Sequence, residues 1–271
     1  MKYAMIVILI LLVLFILYIL LVRGRRGHRK LAELRKWRYA HRGLHDANLP
    51  ENSMGAFRAA LEGGYGIELD LHLLADGNLG VMHDSSLKRT AGADIRMEDL
   101  TTAQLKDYHL GGTGETIPTF QQVMELFDGK APMIIELKVV DGNYAALAAK
   151  TVEMLEGYKG LYCIESFDPR AIYWLKKNHP DIVRGQLTEN HFKSGSKIPA
   201  ALKFVLTHQL ENFLTQPDFV AYKFADRKTL SNFLTRKLWG VQGVSWTLRS
   251  REEFDTAVKE KWIPIFEGFR P

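Results

Sequence analysis

The chain has 271 residues, 46% hydrophobic and 25% charged, enough for one α/β domain of about 200–250 residues plus an appendage. Its single cysteine, Cys163, excludes an intramolecular disulfide and a cysteine-based zinc site, and in the run Leu161-Tyr162-Cys163-Ile164 it reads as a small buried apolar residue. The formal charge of +5 is uneven: residues 1–38 hold nine Lys and Arg against Glu33 alone, and removing that +8 leaves about −3 on the rest, so the globular part has no excess positive charge to match a nucleic acid.

The first element is Met5 to Val22, apolar and uncharged; with Tyr3 and Ala4 it reaches the ~20 residues needed to cross a bilayer. A cleaved signal peptide would have a shorter apolar region ending in small residues, whereas this one runs into Leu20-Leu21-Val22-Arg23. Residues 1–22 are therefore expected to be a transmembrane anchor, meeting the lipid bilayer through residues 3–22. Only Lys2 and the amino terminus precede the span, while Arg23, Arg25, Arg26, Arg29, Lys30, Arg35, Lys36 and Arg38 follow it. The positive-inside rule then predicts a single-pass cell-membrane protein with everything after the span in the cytoplasm, and residues 23–38 form a basic juxtamembrane segment suited to anionic head groups.

Residues 39–271 alternate short β-rich runs with longer amphipathic ones. The spacing predicts strands over Arg38–His41, Gly66–Leu71, Pro132–Leu137, Leu161–Glu165, Ile182–Gln186, Phe219–Tyr222, Val241–Trp246 and Ile263–Phe266, hence an α/β fold, a closed TIM (β/α)8 barrel. Helices are predicted over Met54–Glu62, capped by Ser53, and Phe120–Phe127, started by Thr119. Others follow over Asn143–Leu155, Pro169–Lys177, Ala200–Leu214, Arg227–Leu238 and Arg251–Lys259. Their apolar stripes read as core packing. The stretch from Asp84 to Pro118 is too long for a simple strand-to-helix loop and holds Thr101-Thr102-Ala103-Gln104, a capping-box signature. The sequence stops a few residues after the eighth strand, and Arg29–Trp37 is expected to cover the side where an eighth helix would lie.

Chemistry-bearing residues gather at the ends of these strands. Glu68 and Asp70, two apart, share one strand face; with Glu136 from the next strand they make an oxygen-rich site for one divalent metal ion, Mg2+ or Ca2+. The plain alternative is a set of salt-bridged acids, but all three are embedded in Ile and Leu. His41 and His83 end apolar runs and have the ordinary pKa for taking and giving protons near neutrality. The other histidines, including His45 and His72 near the clusters, read as having no such task. Arg42 and Lys138 bring positive charge where a phosphate would sit. Glu51 and Asn52, in the loop to the first helix, are candidates to bind substrate hydroxyls, a metal ligand or each other. Trp246 suits either stacking on a substrate or core packing, and Phe167 has the same two uses. This array fits metal-assisted hydrolysis of a phosphodiester.

The ordered set His41-Arg42-Gly43, Glu51-Asn52-Ser53, Glu68-Leu69-Asp70, His83-Asp84, Arg89-Thr90, Ile117-Pro118-Thr119, Ile135-Glu136-Leu137-Lys138, Ser166-Phe167-Asp168-Pro169 and Trp246-Thr247 resembles the bacterial-type glycerophosphodiester phosphodiesterase family over residues 39–267. The resemblance implies a TIM barrel, a catalytic pair His41 and His83, metal ligands Glu68, Asp70 and Glu136, phosphate binding by Arg42 and Lys138, and hydrolysis of a glycerophosphodiester to glycerol 3-phosphate and an alcohol. Two departures bear on the substrate: Arg249 stands where the family carries Asn, and Glu267-Gly268 where it carries Thr-Asp. A membrane lysolipid, cut as by a lysophospholipase D, is the alternative substrate; apolar residues on the long excursion would favour it, but Tyr108 and Leu110 are too few to decide. A catalytically idle membrane-bound scaffold is the alternative of another class.

Overall fold

Each predicted strand boundary lies within two residues of an observed one in the computed structural model, which describes Met1–Pro271. The strands are β1 (Tyr39–His41), β2 (Gly66–Leu73), β3 (Leu79–Val81), β4 (Met133–Leu137), β5 (Tyr162–Ser166), β6 (Arg184–Thr188), β7 (Phe219–Lys223), β8 (Gln242–Leu248) and β9 (Trp262–Phe266). All but β3 pair in parallel, from β1 through β2, β4, β5, β6, β7 and β8 to β9; β9 pairs back with β1 and closes an eight-stranded barrel. The unpredicted β3 is an antiparallel extension paired to the end of β2, Leu71 opposite Val81.

Period-two alternation sorts each strand between two cores. Ile67, Leu69, Leu71, Met133, Ile135 and Leu137 point outward to the helices. Ile134, Cys163, Val183, Phe219, Val244 and Ile263 fill the barrel interior. A third, small core of Leu87, Met97, Leu100, Leu105, Leu110 and Ile117 underlies the excursion from Asp84 to Pro118. Leu110 is thus spent on packing. The capping box at Thr101 and Gln104 does start a short turn of 3-10 helix over Thr102–Asp107.

The N-terminal helix α1 (Lys2–Leu21) is long and apolar enough to cross a membrane. Its last turn is built into the barrel: Trp239 Nε1 donates to Ile19 O (2.8 Å) and Thr235 Oγ1 to Val22 O (3.2 Å), and Val22 is fully buried. Arg25 then forks onto the carboxylate of buried Asp218 with two contacts of 2.6 Å. Next, α2 (Arg29–Leu34) inserts Leu31 and Leu34 among the interior residues. This corrects the sequence expectation: the segment closes the barrel from inside, and the side after β9 is covered by Phe269, whose ring meets Phe254 and Phe266.

Helices Met54–Glu62, Phe120–Phe127, Tyr144–Leu155, Pro169–Asn178 and Arg251–Lys259 appear as read, with apolar stripes buried. Two others do not. Ala200–Leu214 breaks into Ala200–Thr207 and Asn212–Thr215, and Arg227–Leu238 begins only at Leu230 and loosens into a π turn over Leu234–Leu238. In both, most of the apolar residues expected in the core are exposed: Phe204, Phe213, Leu214, Leu230, Phe233 and Leu238.

Candidate active site

The inward alternation that fills the barrel with Ile134 and Cys163 brings carboxylates inward one step nearer the C-terminal ends of the strands. In the parallel register Asp70 lies opposite Glu136, and Glu136 opposite Glu165. Glu68, Asp70 and Glu136 are all buried, and their ligating oxygens lie within 4.8 Å of one another. Burial, and then the neighbouring acids, raise Glu68 well above the ordinary carboxylate range. Burial also pushes Glu136 up to about 7, against the opposing pull of Lys138. Asp70 is instead held low: burial would raise it, but Lys138, His83 and Arg42 outweigh that. Lys138 Nζ reaches Glu136 Oε1 at 2.8 Å and Asp70 Oδ1 at 3.0 Å.

Both histidines belong to this mouth and each is pinned through Nδ1. His41, at the end of β1, is 2.5 Å from Glu267 Oε2, and its Nε2 side faces Glu68 at 3.9 Å. His83 is 2.6 Å from Asp84 Oδ1. With carboxylates as partners, Nδ1 is the protonated nitrogen in each ring and Nε2 is left for proton transfer. Burial and then the Lys138 charge bring His83 down to about 4. Burial also lowers His41, opposed by the hydrogen bond from Glu267. Glu267 itself, despite burial, is brought down to about 2 by His41 and Arg249.

A chain of ion pairs orders the phosphate side. Arg42 Nη1 donates to Glu51 Oε1 (2.9 Å), and Arg42 Nε lies 3.5 Å from Asp70 Oδ2. Arg89 donates to both oxygens of Glu51 (3.0 and 2.7 Å) and to Asp84 (2.5 Å), so Asp84 connects it to His83. Asn52 is fully buried and donates from Nδ2 to Asp70 Oδ2 at 2.8 Å. Glu51 and Asn52 therefore hold an arginine pair and an acid, and not each other. Gly43 has φ +83°, and a Cβ there would come within 2.9 Å of Ala56, so a side chain would push the first helix away from this loop.

Two spaces open onto these groups. A cavity of about 40 Å3 is lined by His41, Arg42, Glu68, His83, Glu136 and Trp246, among others, which brings most of the candidates to one void. Trp246 stands edge-on to Phe167 at 5.6 Å, and its buried Nε1 has no hydrogen-bond partner. A groove of about 950 Å3 starts at His83, Glu136 and Lys138 and continues past Phe167 to Ile198, Leu202 and Leu206.

Sequence reasoning missed Glu165, and it missed that Arg249 reaches Glu267 at 3.2 Å. Glu165 was within reach of the alternation rule, being two residues from inward Cys163. The two departures from the family pattern, Arg249 and Glu267, prove to be partners. His72 is a structural pin between Glu98 (2.6 Å) and the His83 carbonyl (3.3 Å). Three hard carboxylates, two of them raised by crowding and burial, suit one divalent cation.

Residues 41–266 match the sequence profile of the Glycerophosphoryl diester phosphodiesterase family. A Caldanaerobacter subterraneus subsp. tengcongensis protein named glycerophosphodiester phosphodiesterase is 34% identical over 158 residues, 55% of this chain; the chain spans 65% of that relative's length. A Rattus norvegicus protein named Lysophospholipase D GDPD1 is 34% identical over 133 residues, 44% of this chain and 41% of its own. An Oleispira antarctica phosphodiesterase, solved in complex with the product sn-glycerol-3-phosphate, has a TM-score of 0.70 and 23% identity, covering 85% of this chain and 92% of its own. That likeness is one of fold.

Proposed function

The chain belongs to the glycerophosphoryl diester phosphodiesterase family, and on that premise we propose that it hydrolyses glycerophosphodiesters to glycerol 3-phosphate and an alcohol, with one divalent cation. The observation that carries this is the convergence on one cavity of two carboxylate-pinned histidines, a half-buried arginine and the buried acids. Glu68, Asp70 and Glu136 would hold the cation, which supplies positive charge to the phosphoryl oxygens.

His83, brought down to about 4 by burial and then by the Lys138 charge, is neutral at pH 7 and accepts the proton of the attacking hydroxyl at Nε2. As the bond from phosphorus to the alcohol breaks, His41, lowered by burial but favoured as imidazolium by ionised Glu267, delivers a proton from Nε2 to the departing alkoxide; water then opens the cyclic phosphate left by the hydroxyl's attack and gives glycerol 3-phosphate. Arg42 and Lys138 offset the negative charge that builds on the phosphoryl group. Glu51 keeps Arg42 aligned and Asn52 keeps Asp70 aligned. Trp246 presents a free indole N–H and an aromatic face to the substrate's alcohol part.

The test is release of glycerol 3-phosphate from a panel of diesters by the full chain in detergent, with Mg2+, Ca2+ or a chelator, beside His41→Ala. Release that survives the chelator and the substitution would end this reading. A lysolipid is a second reading, favoured by the apolar far end of the groove, Ile198, Leu202 and Leu206; faster release from lysolipid than from the soluble diester would select it. We further propose that α1 spans the cell membrane with the barrel on the cytoplasmic side, supported by the basic residues that follow it and by the burial of Val22, the residue just after it, against the barrel, which a cleaved signal would not share.

A further inference from the structure

The helices that receive the end of α1 are turned inside out. Along Leu230–Leu238 the buried positions include Ser231, Asn232 and Thr235, while Leu230, Phe233 and Leu238 are exposed by 52%, 60% and 54%. Along Ala200–Thr215 the buried positions include Thr207, Gln209 and Asn212, while Phe204, Phe213 and Leu214 are exposed. A helix between a barrel and water has the opposite arrangement.

Three of the buried polar groups, Gln209, Asn232 and Thr235, bond one another and hold the end of α1. Gln209 Nε2 donates to Asn232 Oδ1 (2.8 Å), and Thr235 Oγ1 bridges Gln209 Oε1 and Val22 O (both 3.2 Å). The exposed apolar residues sit beside these same groups. Phe213 follows Asn212, Leu230 precedes Ser231, and Leu238 precedes Trp239, which holds Ile19 O. Phe204 packs on His208 at 4.5 Å, and the His208 ring lies 6.4 Å from Tyr18 of α1. Phe204, through His208, and the helix Asn212–Thr215, which carries Phe213 and Leu214, therefore lie beside α1 where it leaves the barrel, and α1 itself is exposed from Met5 to Leu17. Arg23 stacks on Trp239 at 5.4 Å and Lys237 is exposed next to Leu238, which adds positive charge at the same place.

We propose that this flank is a second membrane contact: Phe204, Phe213, Leu214, Leu230, Phe233 and Leu238 rest in the interfacial zone of the bilayer that α1 crosses, with the barrel lying on its side against the head groups. The bilayer is the occupant because the apolar surface is continuous with α1, whose surroundings are hydrocarbon, and because its basic rim complements anionic lipid. The inference rests on α1 spanning the membrane and not on the catalytic reading.

The test uses the full chain carrying Cys163→Ser, reconstituted in nanodiscs of anionic lipid with or without spin-labelled lipid. A fluorophore is placed singly at Phe213→Cys, Phe233→Cys, Leu12→Cys in α1, or Gln121→Cys on the helix Phe120–Phe127. The labels at 213, 233 and 12 are expected to lose at least about half their emission to spin-labelled lipid, and the label at 121 to keep it. Emission unchanged at 213 and 233 while 12 is quenched would overturn the proposal, as would shielding at 213 and 233 that depends on protein density, the mark of a second copy. An unquenched label at 12 would overturn it through its premise. Glycerol 3-phosphate release, measured on the same samples, reports separately on the catalytic reading.

Discussion

The molecule buries two polar clusters, and they are built on opposite terms. At the barrel mouth, Glu68, Asp70, Glu136 and Glu165 crowd four carboxylates against the cations Arg42 and Lys138; burial raises three of the acids, and Glu165 Oε2 has no partner. At the base of α1 the groups are neutral amides and hydroxyls: Gln209, Asn232 and Thr235 bond one another, and Asn212 and Thr235 reach the carbonyl of Val22 just past α1. The acid there, Glu211, is pushed up to about 8 by burial and so is neutral at pH 7. Self-satisfied polar groups make a joint; unsatisfied charge of one sign makes a place for something else.

Substitutions can break this contrast, and the largest effect is expected at the mouth. His41→Ala should lower glycerol 3-phosphate release by about 10²- to 10⁴-fold, with the melting temperature nearly kept. Next comes the cation. At a concentration one hundred times its dissociation constant, Mg2+ or Ca2+ should stabilise the chain by about 2.7 kcal/mol, and Glu136→Gln should shrink that gain. The same measurement has a pH signature. With a chelator present, the folded state holds protons on Glu68 and Glu136 that the unfolded chain has already released. Stability should therefore fall as pH rises from about 4.5 to about 7, and saturating cation should flatten the slope. A slope unaffected by cation would place the ion elsewhere.

At the joint, Gln209→Ala should cost about 1–3 kcal/mol by stranding Asn232 and Thr235, and should leave the response to cation unchanged. A loss of cation response there would erase the distinction between the two clusters. The smallest effect is expected at Glu267→Gln. Removing the carboxylate that favours protonated His41 should move the limb of the pH–rate profile that needs that proton to lower pH.

The mouth was legible in the sequence because the strand alternation that decides burial also decides which acids meet. Glu68 and Asp70 could be placed on one face from their spacing alone, and each motif closes an apolar run of strand length. Glu267 and Arg249 were visible as departures but not as partners, since β8 and β9 only bring them together once the barrel is closed. The joint was not legible at all. An apolar stripe at helical spacing has the same pattern whether it faces a core or a bilayer, so Phe233 and Leu238 were assigned to the core. The clue lay on the other face, where Ser231, Asn232 and Thr235 are too polar for an ordinary solvent-facing stripe yet carry no charge. The role of α2 was hidden for a related reason: Leu31 and Leu34 sit in a run of basic residues whose charge dominates the reading.

The closure of the barrel has a consequence for how the chain folds. Tyr39 and Ala40 pair with Ile265 and Phe266, and Arg25 must find Asp218, so contacts at the two ends of the barrel are separated by roughly two hundred positions. The entropy of closing so long a loop is lost before any of those contacts forms. Neither β1 nor the Leu31–Leu34 plug can become native until β9 has left the ribosome. During that interval an N-terminus held at a membrane stays near the emerging chain, and the first strand waits beside the place where the last one will arrive.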